Sequence, residues 1–182
     1  MRTAGRYEAD GEAVRVIDKA TDDDLRVADV VLVGLRKTRM QMNARIRQAL
    51  GSQSPLPLYG EPLICVRTMR KYGLCNGGIY YASRELHEDD KTIGISTEAG
   101  DIEVHAQFLP PGHEYDQLDL PPGGWMTAFA FGYALTVHLA QGSEFDRVLL
   151  VDEWHRPEDR TRWLYTALTR AKERIVVARD AR

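Results

Sequence analysis

Hydrophobic positions along this chain follow two different rules. Residues 29–35 (DVVLVGL), 148–151 (VLLV) and 174–179 (RIVVAR) hold short apolar runs with no alternation. Runs of that kind are expected of parallel strands covered on both faces. From residue 59 onward the pattern changes. Residues 62–67, 78–83, 92–97 and 101–107 are short strand candidates, and the last two alternate cleanly. Ile93, Ile95 and Thr97 share one face of the first of these, and Ile102, Val104 and Ala106 one face of the second. Gly100 between them predicts a hairpin, and Asn76-Gly77 marks another tight turn. A short all-β run set between two α/β stretches predicts a small barrel inserted into a sheet domain.

Helical periodicity appears on either side of that run. Met42, Ile46, Ala49 and Leu50 form one apolar stripe stopped by Gly51, and Thr38 with Gln41 has the spacing of a capping box. Leu164, Ala167, Leu168 and Ala171 form the stripe of a second helix through LYTALTRAKE. Arg162, Thr166, Thr169, Arg170 and Glu173 are left on its other side. Residues 133–152, YALTVHLAQGSEFDRVLLVD, read as strand, short helical turn, glycine exit and second strand. Thr136 is placed to cap that turn with its hydroxyl, and Gly142 stands where a left-handed residue is most often needed. A polar turn beside a buried strand, with an arginine on the next helix, is a place to hold a phosphate.

Composition narrows the picture in a few places. A length of 182 residues suits one domain, or one domain with an insertion. The net charge of −3 excludes a molecule that is basic throughout, so any contact with nucleic acid must be local. Such a locality exists. No acidic residue occurs from Val30 to Gly60, whereas Arg36, Lys37, Arg39, Arg45 and Arg47 crowd one strand end and one helix. Unopposed cations at a strand end suit a phosphate backbone. Residues 1–28 are acid-rich and read as a solvated lead-in, with Val14 and Val16 as a short strand. Residues 109–125 are rich in proline and glycine and read as the connector back to the sheet. Cys65 and Cys75 lack metal-site spacing, as do His87, His105, His113 and His155, so no metal site is expected. No run reaches the length of a membrane span and no signal-peptide core is present, so a cytoplasmic location and no membrane partner are expected.

Three stretches resemble the motifs of superfamily 1 DNA helicases of the RecD and Dda type. ALTVHLAQGSEFD is similar to motif V, LYTALTRAKE to motif VI, and LVGLRKTRMQMNARIRQALG to the strand and helix near motif IV. The resemblance covers about residues 25 to 180. It implies a RecA-like parallel sheet, the second such domain of a helicase, carrying an SH3-like β-barrel insertion. The sheet domain would comprise residues 1–58 and 116–182, and the insertion residues 59–115.

The resemblance also assigns roles. Arg170 would be the arginine finger on the γ-phosphate of ATP, a task that suits a planar cation able to bond two oxygens. Gln141 and Gly142 would approach the phosphates and Glu144 the ribose. Arg36, Lys37, Thr38, Arg39, Asn43, Thr136 and His138 would contact single-stranded DNA. The family usually carries lysine or arginine after the motif V histidine; here Leu139 stands there, which should weaken contact with ATP or DNA. The phosphate cradle GxxxxGK[ST] is absent from these 182 residues. VLLVDE has the look of a magnesium-binding strand, but it follows motif V, where the family has a plain core strand. ATP and Mg²⁺ would therefore belong to the complete enzyme, whose other RecA-like domain bears the Walker A and B motifs. The chain alone would be inactive as an ATPase. Movement along DNA would run 5′ to 3′. Two other readings stand beside this one: a non-catalytic module binding single-stranded DNA or a protein, and an independent hydrolase using Asp152, Glu153 and His155.

Overall fold

The computed structural model describes residues 13–110, 126–153 and 157–180. In chain order the elements are β1 (Val14–Lys19), α1 (Asp22–Val27), β2 (Val30–Val33), α2 (Arg36–Ala49), β3 (Pro62–Cys65), β4 (Ile79–Ala82) and β5 (Thr92–Thr97). They continue with β6 (Gly100–Phe108), β7 (Thr127–Phe131), β8 (Ala134–Thr136), β9 (Phe145–Val151), α3 (Pro157–Leu168) and β10 (Ala171–Asp180). Two compact units result, one of Met1–Gly51 with Tyr133–Arg182 and one of Ser52–Gly132.

The first unit is a parallel sheet in the order β1-β10-β9-β2-β8. Its apolar runs are covered on both sides: Val30 to Val33 and Val148 to Val151 are all buried, as continuous hydrophobic strands require. Val31 stands opposite both Ala134 and Leu149, which sets the register of three neighbouring strands. β1 is the exposed edge, with Val14 and Val16 half in solvent.

Several local expectations are corrected. The acid-rich lead-in contains the helix α1, started by a capping box in which Thr21 and Asp24 exchange hydrogen bonds. It engages the basic helix with both signs of charge: Asp22 pairs with Arg45 at 2.8 Å, and Arg26 donates to the Ala49 carbonyl at the end of α2. Thr38 and Gln41 form no capping box. Helix α2 begins at Arg36 with Leu35 as an N-cap that makes no side-chain bond. The second helix stops at Leu168, so Arg170 lies in a helix-to-strand turn and Ala171 already belongs to β10. Trp163 and Ala167 form its buried side, while Leu168 is exposed.

Asn43 ties α2 to the sheet. Its amide nitrogen donates to the Arg39 and Ala134 carbonyls, and its amide oxygen accepts from the Ala134 amide. A 14-residue helix is thereby fixed against β8 by a buried side chain whose every bond is to backbone.

The second unit is a closed barrel of β3, β4, β5, β6 and β7. Phe129, Leu63, Ile95 and Val104 are buried on one shared face of its strands, with Tyr80 edge-on to Phe129 at 6.3 Å between ring centres. β5 and β6 form the expected hairpin, with Thr97 opposite Gly100 and a φ of +116° at that glycine. The barrel takes one strand more than alternation alone shows. β7 comes from residues expected to lead into the sheet, so this unit runs to Gly132 and not to 115. β7 pairs in parallel with β6 and antiparallel with β3. A parallel pair cannot be joined by a tight turn, which accounts for the long connection between Phe108 and Thr127. Arg84 is the hub of the barrel's polar surface, donating to Glu103 at 2.7 Å and to Asp90 at 2.6 Å.

Candidate functional site

The arginine of LYTALTRAKE meets the glycine turn of LAQGSE. After β8 the chain turns at 137–142; the Thr136 hydroxyl accepts from the Leu139 amide at 3.3 Å and Gly142 adopts a φ of +89°. Nη1 of Arg170 donates to the Ser143 carbonyl at 3.1 Å, Nε to the Thr166 carbonyl at 3.2 Å, and Nη2 to the Thr169 hydroxyl at 3.1 Å. In return the Arg170 carbonyl accepts from the Phe145 amide at 2.8 Å. The turn before β9 and the turn before β10 are thus laced together. Among the described residues, no carboxylate pairs with this guanidinium: Glu173 makes no ion pair, and Asp152 is held by Arg160. Three neutral acceptors orient the cation without cancelling its charge. Gln141, Gly142 and Glu144 are exposed beside it.

The residues expected to face DNA divide in two. Arg36, Lys37 and His138 are exposed. Thr38, Arg39, Asn43 and Thr136 are buried at 5–7% exposure, and Asn43's amide is engaged with backbone. Arg45 is bound to Asp22, and Arg47 is buried. The local excess of cations is therefore narrower in space than in sequence. It comes down to Arg36 and Lys37 at the amino end of α2.

The two predicted groups also lie at opposite ends of the sheet. Thr136 aligns with Val33 at the carboxyl ends of β8 and β2, and α2 starts just beyond. Ser143 lies two residues before the amino end of β9 and Arg170 one residue before that of β10. His138 and Gln141 lie between, lining an open cleft of about 470 Å³ with Val137 and with Asp159, Arg162, Trp163 and Thr166 of α3. Arg162, which periodicity places only on the polar side of that helix, also lines this cleft.

Asp152 and Glu153 are each engaged by a different partner element. Both Asp152 oxygens accept from Arg160, which raises the guanidinium's pKa above its ordinary value. Glu153 Oε1 accepts from the Gly34 and Leu35 amides at 2.8 and 2.9 Å, and its Oε2 from the Thr38 hydroxyl at 2.6 Å. His155 lies outside the described residues. Among those described, no group of histidine, cysteine and acidic side chains is arranged to hold a metal ion. No described helix is long and apolar enough to cross a membrane. Sequence reading missed Glu153's role. A helix with no acid in its first turn still needs an acceptor for its leading amides, and that was the available signal.

Comparison with known proteins bears on these observations. Residues 131–178 match the UvrD-like helicase C-terminal domain family. A stretch of 51 residues is 53% identical to the ATP-dependent RecD2 DNA helicase of Deinococcus radiodurans, covering 28% of this chain and 7% of that protein. The chain therefore spans less than a tenth of the curated relative it matches. The crystal structure of Pif1 helicase from Bacteroides in complex with ADP-AlF3 and ssDNA superposes with a TM-score of 0.54 at 16% identity, over 81% of this chain and 39% of that one. Pif1 helicase from Candida albicans gives 0.51 at 13% identity, over 84% and 45%. At such identities the likeness is one of fold, and the fold of the sheet unit is RecA-like.

Proposed function

We propose, on the premise that this chain carries the C-terminal region of a superfamily 1 helicase, that it supplies half of an ATP site and part of a single-stranded DNA track. Arg170 is the arginine finger, and Gln141, Gly142 and Glu144 line the nucleotide beside it. Arg36, Lys37 and His138 touch the DNA backbone, with Thr38, Arg39, Asn43 and Thr136 shaping the surface behind them. The barrel corresponds to the SH3-like insertion. The partner is a RecA-like domain with Walker A and B motifs, which binds ATP and Mg²⁺ in the complete cytoplasmic enzyme. The direction of travel is 5′ to 3′.

One observation carries the reading: the Arg170 guanidinium is fixed next to the glycine turn by acceptors that leave its charge available. Neutralising the charge that builds up on a transferred phosphoryl group needs such a cation, already oriented before the reaction begins. The reading predicts only background phosphate release from the purified chain with ATP, Mg²⁺ and oligothymidine. Adding a Walker-motif RecA-like domain from a RecD-type helicase should restore DNA-stimulated release. Robust turnover by the chain alone contradicts it, and binding of oligothymidine with no stimulation in the mixture favours the non-catalytic module.

A further inference from the structure

The acidic pair that ends β9 resembles a magnesium-binding motif, yet each of its carboxylates holds the start of a different helix. Asp152 is clamped by Arg160 in the first turn of α3, with one of the two bonds at 2.7 Å. Glu153 reaches across to the start of α2 and accepts three hydrogen bonds there, from the Gly34 and Leu35 amides and the Thr38 hydroxyl. Among the described residues, no other side-chain cap is recorded at this end of helix α2. Its N-cap residue is a leucine with no side-chain bond, and its first turn contains no acid. Glu153 is thus an N-cap supplied from 115 or more positions away in the sequence. It satisfies amides that would otherwise lack partners and sets a negative charge against the positive end of the helix dipole. The residues it pins, 34, 35 and 38, bracket Arg36 and Lys37, the exposed cations of the candidate DNA surface.

We infer that Glu153 is a positioning residue for single-stranded DNA binding, which rests on the function proposed above. It fixes the first turn of α2 so that Arg36 and Lys37 are presented together to successive phosphates. Asp152, one residue earlier, does the corresponding work for α3 and not for α2. The carboxylate contacts no DNA. Its effect passes through the backbone of 34–38, so it governs how many phosphates the helix end engages as well as how stable the fold is.

The test uses the full chain, oligothymidine as the probe, and temperatures at which circular dichroism shows every variant folded. Dissociation constants are measured across a series of salt concentrations. Glu153→Gln should weaken binding roughly five-fold or more and flatten the salt slope by about 0.7, because roughly one phosphate contact is lost in register. Glu153→Asp, which keeps the charge, should recover part of the slope. Asp152→Asn should leave both within about two-fold of the parent. Should Glu153→Gln prove too unstable, Thr38→Val removes one of the three donors and should shift the slope in the same direction. Adding it to Glu153→Asp should then give less than the sum of the two effects. A lowered melting temperature with unchanged affinity and slope overturns the inference and leaves the functional reading intact. Failure of the parent chain to bind oligothymidine overturns both.

Discussion

The candidate site of the sheet unit and the Arg84 cluster of the barrel treat charge in opposite ways. In the barrel, Arg84 closes on Glu103 and Asp90, so cation and carboxylates satisfy one another within a few residues of surface. Both acids are held below their ordinary pKa, Glu103 chiefly by Arg84 and Asp90 by the His87 amide and then Arg84. The sheet unit has such pairs too, Asp22 with Arg45 and Asp152 with Arg160, but at its candidate site the charges are kept apart. Glu153 holds backbone amides and a hydroxyl, and Arg170 rests on backbone carbonyls and a hydroxyl. A self-neutralised cluster has little left to offer a ligand. A cation oriented by neutral acceptors keeps its field, and a phosphate can use it.

The largest expected effect separates the two units by stability. Asn43→Leu leaves the amide and carbonyl of Ala134 without partners inside the sheet, at a cost of about 2–4 kcal/mol. Hydrogen exchange should speed up in β8 and α2 and stay unchanged in the barrel strands. Equal acceleration in both units breaks the comparison. Next in size, Arg36→Ala with Lys37→Ala should weaken oligothymidine binding about ten-fold and reduce the salt slope by roughly 0.7 per lost phosphate. The corresponding barrel change, Arg84→Met, should leave binding alone. Smaller again, Leu139→Lys restores the cation that the motif usually carries and should tighten oligothymidine binding roughly three-fold at low salt.

The smallest effect is in pH. Asp90 and Glu103 have depressed pKa values in the folded protein, so their stabilisation is complete above the ordinary carboxylate range and fades as pH falls through the folded values. Barrel amides should lose protection below about pH 4, and Arg84→Met should flatten that acid limb. Both effects should shrink in high salt, since the cluster is partly exposed.

Much of this was legible beforehand because it is local. Buried strands show as unbroken apolar runs, hairpins as alternation around glycine, and Gly142 as a turn exit; each needs only neighbours in sequence. What escaped is non-local. Thr38 and Gln41 carry the letters of a capping box, but Glu153 competes for the Thr38 hydroxyl from the far side of the sheet. The charge excess at 36–47 looked larger than it is, because Arg45 meets an acid of α1 that sequence order places 23 residues away. β7 was missed because its barrel partners stand on the other side of a long connection, and LYTALTRAKE was extended as helix because periodicity cannot see Ala171 join β10.

The sharpest test is phosphate release by the chain combined with a Walker-motif RecA-like domain, comparing Arg170→Ala and Arg170→Lys with the parent. Arg170→Ala should lower turnover by roughly a thousandfold or more while oligothymidine affinity stays within about two-fold. Lysine should rescue little, since it lacks the planar fork. Turnover that survives Arg170→Ala unchanged would contradict the assignment of Arg170 to the ATP site.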